Sequence, residues 1–150
     1  MSDTPPSDKA PSAAATLALL QRYYAAFNRA DTDAMVAMVA DDLAHDTNQG
    51  ERRMGRERFK AFNGRMAHHY KEQLDGITIM VSPDGARAAA EFNVTGSYLV
   101  TETGLPEAKG QIYKLPAGTF FAIKQGAKGP EISRITTYYN LTEWIMQVSV

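Results

Sequence analysis

His45 and Asp46 stand side by side in HDTNQG, directly after MVADD, which reads as the end of an amphipathic helix. They open the next strand, at its entry to the interior of a small protein. A carboxylate taken out of water is costly unless it is paired or hydrogen-bonded. Asp46 therefore marks either a turn or wet strand edge, satisfied by backbone N–H groups of the neighbouring TNQG, or a carboxylate with a function. Glu91 and Asn93 lie on the polar face of a long strand, expected to be solvated or a wet dimer contact. Glu91 becomes an alternative base if curvature turns that face inward. His68 and His69 are expected as one surface and one interior residue. No pair of histidines or carboxylates has metal-ligand spacing, so no metal site is expected. With no cysteine in the chain, disulfide and thiol chemistry are excluded. No Gly-rich phosphate loop is present, which argues against a nucleotide cofactor. Seven methionines suit packing, and also an adaptable pocket.

The elements that must position these residues fit in one domain, since 150 residues suffice for a single core. An apolar content of 44% and a charged content of 22% are those of a globular protein. A net charge of −1 gives no electrostatic case for nucleic acid or an anionic membrane as partner. No apolar run approaches the roughly 18 residues that span a bilayer. The opening MSDTPPSDKAPS lacks a basic and an apolar signal region, and its composition predicts a disordered tail over residues 1–12. The cysteine-free composition fits the cytoplasm.

Ser12 caps a helix expected over 13–29, with Leu17, Leu20, Tyr23, Tyr24 and Phe27 as one apolar stripe. Asp31 caps a second, short helix with Met35, Met38 and Val39 inward. A strand is expected over 43–48, then a third helix over GRERFKAFNGRMAHHYKEQL, with Phe59, Phe62, Met66 and His69 on one face. From Ile77 the period changes to two. ITIMV is a strand, PDG a turn, and RAAAEFNVTGSYLVTE a long strand with Ala90, Phe92, Val94, Tyr98 and Val100 on one face. Two more strands, near 110–124 and 131–139, precede a helix announced by Asn140 and Glu143, a capping-box pattern. Helices first and hairpins after indicate an α+β fold, with helices on one face of a curved, mainly antiparallel sheet.

The stretch YYAAFNRADTDAMVAMVADDLAHD, the GRE segment at 55–57, the long hairpin and the ending ISRITTYYN together resemble the nuclear transport factor 2-like superfamily. Within it they are most similar to the ketosteroid isomerase-related and SnoaL-like group, over residues 16–147. The resemblance implies a cone-shaped, cystatin-like roll over 13–150, an apolar pocket open at one end, and a homodimer through the exposed sheet face. Tyr98 and Val100, near polar neighbours, are expected in that face. It also implies roles for matching positions. Tyr23 falls where ketosteroid isomerases hold the donor to the oxyanion, and Asp46 where they hold the general base. Thr119 replaces their second, protonated aspartate, and Phe62 and Tyr139 fall at aromatic pocket positions. Between ADD and Asp46 the chain is one residue shorter. A regular strand from Leu43 would put Leu43, His45 and Thr47 on one face and Asp46 on the other. A bulge or an early helix end would restore Asp46, so His45 and Asp46 are rivals.

Removing a proton next to a carbonyl needs a base and a donor to the enolate oxygen, the division of labour of ketosteroid isomerases. Asp46 as base and Tyr23 as donor would fill these roles in a pocket lined by Phe62, Met66, Leu115, Phe121 and Tyr139, with His45, His69 and Thr119 as further ligand-contacting residues. Tyr23 alternatively is a core tyrosine whose hydroxyl reaches the surface. Losing an acidic oxyanion donor costs on the order of 2.7–4 kcal/mol of transition-state stabilisation, which argues against steroid isomerisation itself. The expected activity is cofactor-free isomerisation, cyclisation or dehydration of a small apolar carbonyl compound. The alternatives are a non-catalytic binding module for a small hydrophobic molecule and a dimeric scaffold.

Overall fold

The computed structural model describes residues 11–48 and 50–150. The tail expected over 1–12 lies outside them, apart from Pro11 and Ser12. The order of elements is α1 (Ala13–Asn28), α2 (Thr32–Ala37), β1 (Val39–Thr47), β2 (Arg53–Met54), α3 (Arg56–His69), β3 (Tyr70–Val81), β4 (Arg87–Tyr98), β5 (Gln111–Gly126), β6 (Gly129–Tyr139) and α4 (Leu141–Val148). They form the expected α+β cone. One six-stranded sheet in the order β2-β1-β6-β5-β4-β3 is antiparallel throughout except for the parallel pair β1·β6.

Ser12 caps α1 by accepting from the Ala15 N–H at 3.1 Å. The buried stripe of α1 runs through Thr16, Leu19, Leu20, Tyr23 and Tyr24, and Leu17, expected on it, is exposed. The stripe is shifted because Thr16 turns inward, its hydroxyl donating to the Gly85 carbonyl at 2.6 Å. That contact docks the β3–β4 turn on the start of the helix. Gly85 has φ +72°, and a Cβ there would stand 2.1 Å from the Pro11 carbonyl oxygen. Gly85→Ala is therefore expected to cost about 2–3 kcal/mol, from the left-handed backbone and the backbone clash together. A fall of roughly 5–10 °C in Tm by calorimetry would register it. At the other end of α1, Asn28 accepts from the Leu74 N–H at 2.9 Å and donates to the Leu74 carbonyl at 3.0 Å. One side chain thus fixes the helix to β3.

Three element boundaries differ from the sequence reading. β1 starts at Val39 rather than 43, directly after α2. Its pairing with β6 shifts between Val39 and Ala44, and the exposed acidic pair Asp41 and Asp42 sits in that irregular stretch, held by Arg56 and Lys124. α3 ends at His69, and Tyr70 to Leu74, expected as helix, belong to β3. There Tyr70, Glu72 and Leu74 stand opposite Tyr98, Gly96 and Val94 of β4. β4 ends at Tyr98; Val100 lies beyond it and is exposed, whereas Tyr98 is fully buried and not on an outer face.

The α4 cap is half a capping box. The Asn140 side chain accepts from the Glu143 N–H at 3.0 Å, while the Glu143 carboxylate meets Gln147 at 3.4 Å instead of returning to the cap. Gln147 in turn bonds both the N–H and the carbonyl of Lys114, each at 2.8 Å. This ties α4 to β5 and seats Trp144 among Tyr70, Tyr98 and Tyr113, with ring centroids 5.1–6.0 Å away.

Candidate active site

The concave face of the sheet is organised in rows of paired residues. Arg53 of β2 stands opposite His45, which stands beside Ile135 and, through it, Phe121. The next row is Thr47, Thr137 and Thr119. Further along β5 come Ala117 and Leu115, then a row of Tyr113, Gly96 and Glu72. Helices α1 and α3 cover this face and leave a cavity of about 270 Å³. An apolar cavity of roughly 150 Å³ already holds benzene, so this one has room for a larger ring compound. Its wall is mostly apolar, with polar groups at two ends. Thr119 and Tyr113 are six residues apart on β5, roughly 20 Å along the strand at the usual rise.

At the first end lies His45, 3% exposed. Its ring meets Phe59 and Phe62 edge-on, with centroids 5.2 and 4.7 Å away. Desolvation, with the Arg53 charge adding to it, pushes its pKa down to about 4 against the opposing pull of Asp46, so the imidazole is neutral at neutral pH. Its Nδ1 is buried and has no hydrogen-bond partner among the described residues. The hydroxyl of Tyr24, which also lines the cavity, is buried beside that of Thr119. Tyr23 lines it too, and burial raises the pKa of both tyrosines, with the Thr119 hydroxyl pulling that of Tyr24 the other way. Both therefore stay protonated as donors. Thr119 and Thr137 hydroxyls stand 3.0 Å apart.

At the second end, Tyr113 donates to the Glu72 carboxylate at 2.5 Å. The Tyr113 ring lies across Gly96, where a Cβ would come within 2.3 Å of it. Glycine at 96 is thus what lets a β5 side chain reach over β4 to β3. Burial raises the Glu72 pKa, with the Tyr113 hydrogen bond opposing. Beside it, Glu102 pairs with Arg65 and accepts from the Tyr70 hydroxyl at 2.5 Å.

Asp46 is not in this cavity. It stands in register with Thr136 on the opposite face of the sheet and accepts from the Thr136 hydroxyl at 2.8 Å. Its carboxylate takes a two-pronged contact from Arg52 at 2.8 and 2.9 Å. The Arg52 hydrogen bond holds its pKa below the usual carboxylate range, against partial desolvation. The physical reason is register. The irregular stretch lies before Ala44, and from there the strand is regular, so His45 and Thr47 turn inward and Asp46 outward. Of the other expected pocket residues, His45, Phe62, Met66, Leu115, Thr119 and Tyr139 line the cavity. Phe121 does not; it is fully buried behind Tyr23 and Tyr24, with ring centroids 6.0 and 6.2 Å away. His69 does not either, because it ends α3 and its Nδ1 meets the Val100 carbonyl at 2.7 Å. Glu91 is exposed on the outer face. The residues not foreseen are Tyr24, Arg53, Glu72, Glu102 and Tyr113. Glu72 was hidden by reading YKEQL as helix; the alternation of Tyr70, Glu72 and Leu74 was its available signal. Among the described residues no cluster of three potential metal ligands occurs, and no helix is long and apolar enough to cross a membrane.

Helices on a bent six-stranded sheet, enclosing an apolar cavity, define a nuclear transport factor 2-like fold. A nuclear transport factor 2-like protein of unknown function from Burkholderia pseudomallei K96243 superposes with a TM-score of 0.74 at 15% identity, over 90% of this chain and 98% of that one. The sequence profile of the SnoaL-like domain matches residues 20–128, and the chain belongs to that family. A candidate polyketide cyclase from Xanthomonas campestris pv. campestris is 49% identical, with a TM-score of 0.85 over 91% of this chain and 98% of that one. A second candidate polyketide cyclase, from Pseudomonas putida KT2440, is 50% identical, with a TM-score of 0.85 over 89% and 97%. Among curated proteins none matches.

Proposed function

We propose that this protein is a cofactor-independent isomerase, cyclase or dehydratase acting on a small apolar carbonyl compound, with His45 as the base. The observation that carries the reading is an apolar cavity lined by His45, Tyr23, Tyr24 and Thr119, with the buried His45 Nδ1 left without a hydrogen-bond partner among the described residues. Unsatisfied buried polar groups are rare, and one on a residue of the cavity wall fits a ligand that supplies the missing partner after a small side-chain shift. A carbonyl oxygen accepts from the Tyr24 or Tyr23 hydroxyl, with Thr119 behind them. Neutral His45 takes a proton from the adjacent carbon, leaving an enolate whose charge these donors hold. The proton then returns to another carbon, or the enolate carbon attacks a second carbonyl and closes a ring, and the alkoxide so formed takes the proton back from His45. The dry wall strengthens each of these contacts. The likeness to two candidate polyketide cyclases supports the cyclase variant of this chemistry. In this proposal the protein works in the cytoplasm as a homodimer through the outer sheet face, where exposed Phe120 and Tyr138 lie with ring centroids 6.0 Å apart. Light scattering at micromolar concentration is expected to give twice the mass of the chain.

A second reading, a carrier that binds without turnover, is favoured by the outward position of Asp46, which leaves the first end of the cavity without a carboxylate base. The two are separated by incubating the protein with cyclic and aromatic ketones in deuterium oxide. Loss of the α-proton signal faster than in buffer is the expected result. Ketones that bind and do not exchange would establish the carrier.

A further inference from the structure

We infer that the ligand of this cavity carries a carboxylate, and that Arg53 receives it. The inference rests on the reading of the cavity as a ligand site, and not on turnover.

Two guanidinium groups approach the same ring: the Arg53 centre lies 4.6 Å from the Phe62 centroid and the Arg65 centre 5.4 Å. Both arginines line the cavity. Arg65 is neutralised by Glu102. Arg53 and Arg65 are the two cationic residues of the cavity wall. Arg53 has no carboxylate partner among the described residues. Its guanidinium donates a long hydrogen bond, 3.4 Å, to the Thr47 hydroxyl. A half-buried cation with no counter-charge is costly, and an anion would supply one. The charge is not idle either: it helps to push the His45 pKa down, because β2 sets Arg53 directly opposite His45.

What surrounds Arg53 fits an anion of one kind. Thr47, whose hydroxyl stands 3.4 Å from the guanidinium, also lines the cavity and supplies a neutral donor. The planar fork of a guanidinium matches the two oxygens of a carboxylate. Behind these groups the wall is aromatic and aliphatic: Phe59, Phe62, Met35, Ile135. The chemical class is therefore an aromatic or cyclic apolar acid, its carboxylate at Arg53 and its ring body along the sheet.

The experiment compares 1-naphthoate with 1-naphthamide, which share a ring and differ in charge, by calorimetric titration. A charge-assisted two-pronged contact predicts that the acid binds on the order of ten- to a hundredfold more tightly than the amide. Arg53→Gln is expected to bring the two within about threefold while the amide affinity stays as it was. Arg53→Lys, which keeps the charge and loses the fork, is expected to retain part of the preference. Arg52→Gln removes a neighbouring cation from the opposite face of the sheet and is expected to retain all of it. Equal affinity of acid and amide for the unmodified protein overturns the inference, as does failure of the acid to bind at millimolar concentration. A preference that survives Arg53→Gln, or that Arg52→Gln abolishes equally, also overturns it. Acid preference without α-proton exchange leaves this inference standing and removes the catalytic reading; exchange without acid preference does the reverse.

Discussion

His45→Gln lowers α-proton exchange by on the order of 10²- to 10⁴-fold, the usual worth of a positioned base, with ligand affinity changed only a few-fold. Gln keeps a polar side chain of similar length but accepts no proton near neutral pH. Asp46→Asn, the change that sequence matching alone would single out, leaves exchange intact. Its carboxylate faces Arg52 and Thr136 on the far side of the sheet, so its loss registers in stability, by about 1 kcal/mol or less for a pair with a half-exposed arginine. Tyr24→Phe falls between the two, because Tyr23 and Thr119 remain at the same end of the cavity. Parallel exchange assays of the three variants, with binding checked by titration, measure this order. Loss of exchange in Asp46→Asn with retention in His45→Gln would reverse the assignment.

The second large effect is on stability against pH. His45 has an ordinary pKa of 6.5 and a folded value of about 4. Between these values the unfolded chain takes up a proton that the folded protein refuses. The stabilisation from a neutral buried imidazole is thus complete above pH 6.5 and is lost progressively as pH falls toward 4. The span of about 2.5 pH units corresponds to roughly 3 kcal/mol at most. Glu72 works in the opposite sense. Its raised pKa contributes stability below the ordinary value of 4.5 that is lost as pH rises through the folded value. Asp46, Asp42, Asp31 and Asp84, all lowered, act only below their ordinary value of 3.8. The His45 contribution is isolated by subtraction. In urea unfolding, the stability of the unmodified protein minus that of His45→Gln is expected to shrink by about 2–3 kcal/mol between pH 7 and pH 4. A difference independent of pH would show that the imidazole is open to solvent.

Much of this molecule was readable where local signals and tertiary demands agree. Ser12, Asp31 and Asn140 each act as the cap their position suggested, and the alternation of Ala90, Phe92, Val94 and Tyr98 marks the buried face of β4. The errors arose where tertiary contacts override a local period. Thr16 replaced Leu17 on the inward stripe of α1 because a hydroxyl was needed by the Gly85 turn. Tyr70 to Leu74 carry residues acceptable to a helix, and only pairing with β4 makes them a strand. That one boundary concealed Glu72, and with it the second polar end of the cavity. His45 against Asp46 was undecidable for a sharper reason. A side chain's face in a strand inverts with one residue of register, and the register was set by an irregular stretch between Val39 and Ala44. Arg53 was missed because its significance lies in having no partner, which no sequence pattern records.

His45, and not Asp46, stands on the wall of a dry cavity as a neutral imidazole. Histidine NMR titration tests it without a known ligand, the His45 resonances being assigned by their disappearance in His45→Gln. These resonances are expected to stay in the neutral form as pH is lowered through 6.5 and to shift only near pH 4. A His45 midpoint close to 6.5 would mean an imidazole in water, and would contradict both the geometry of the site and the function built on it.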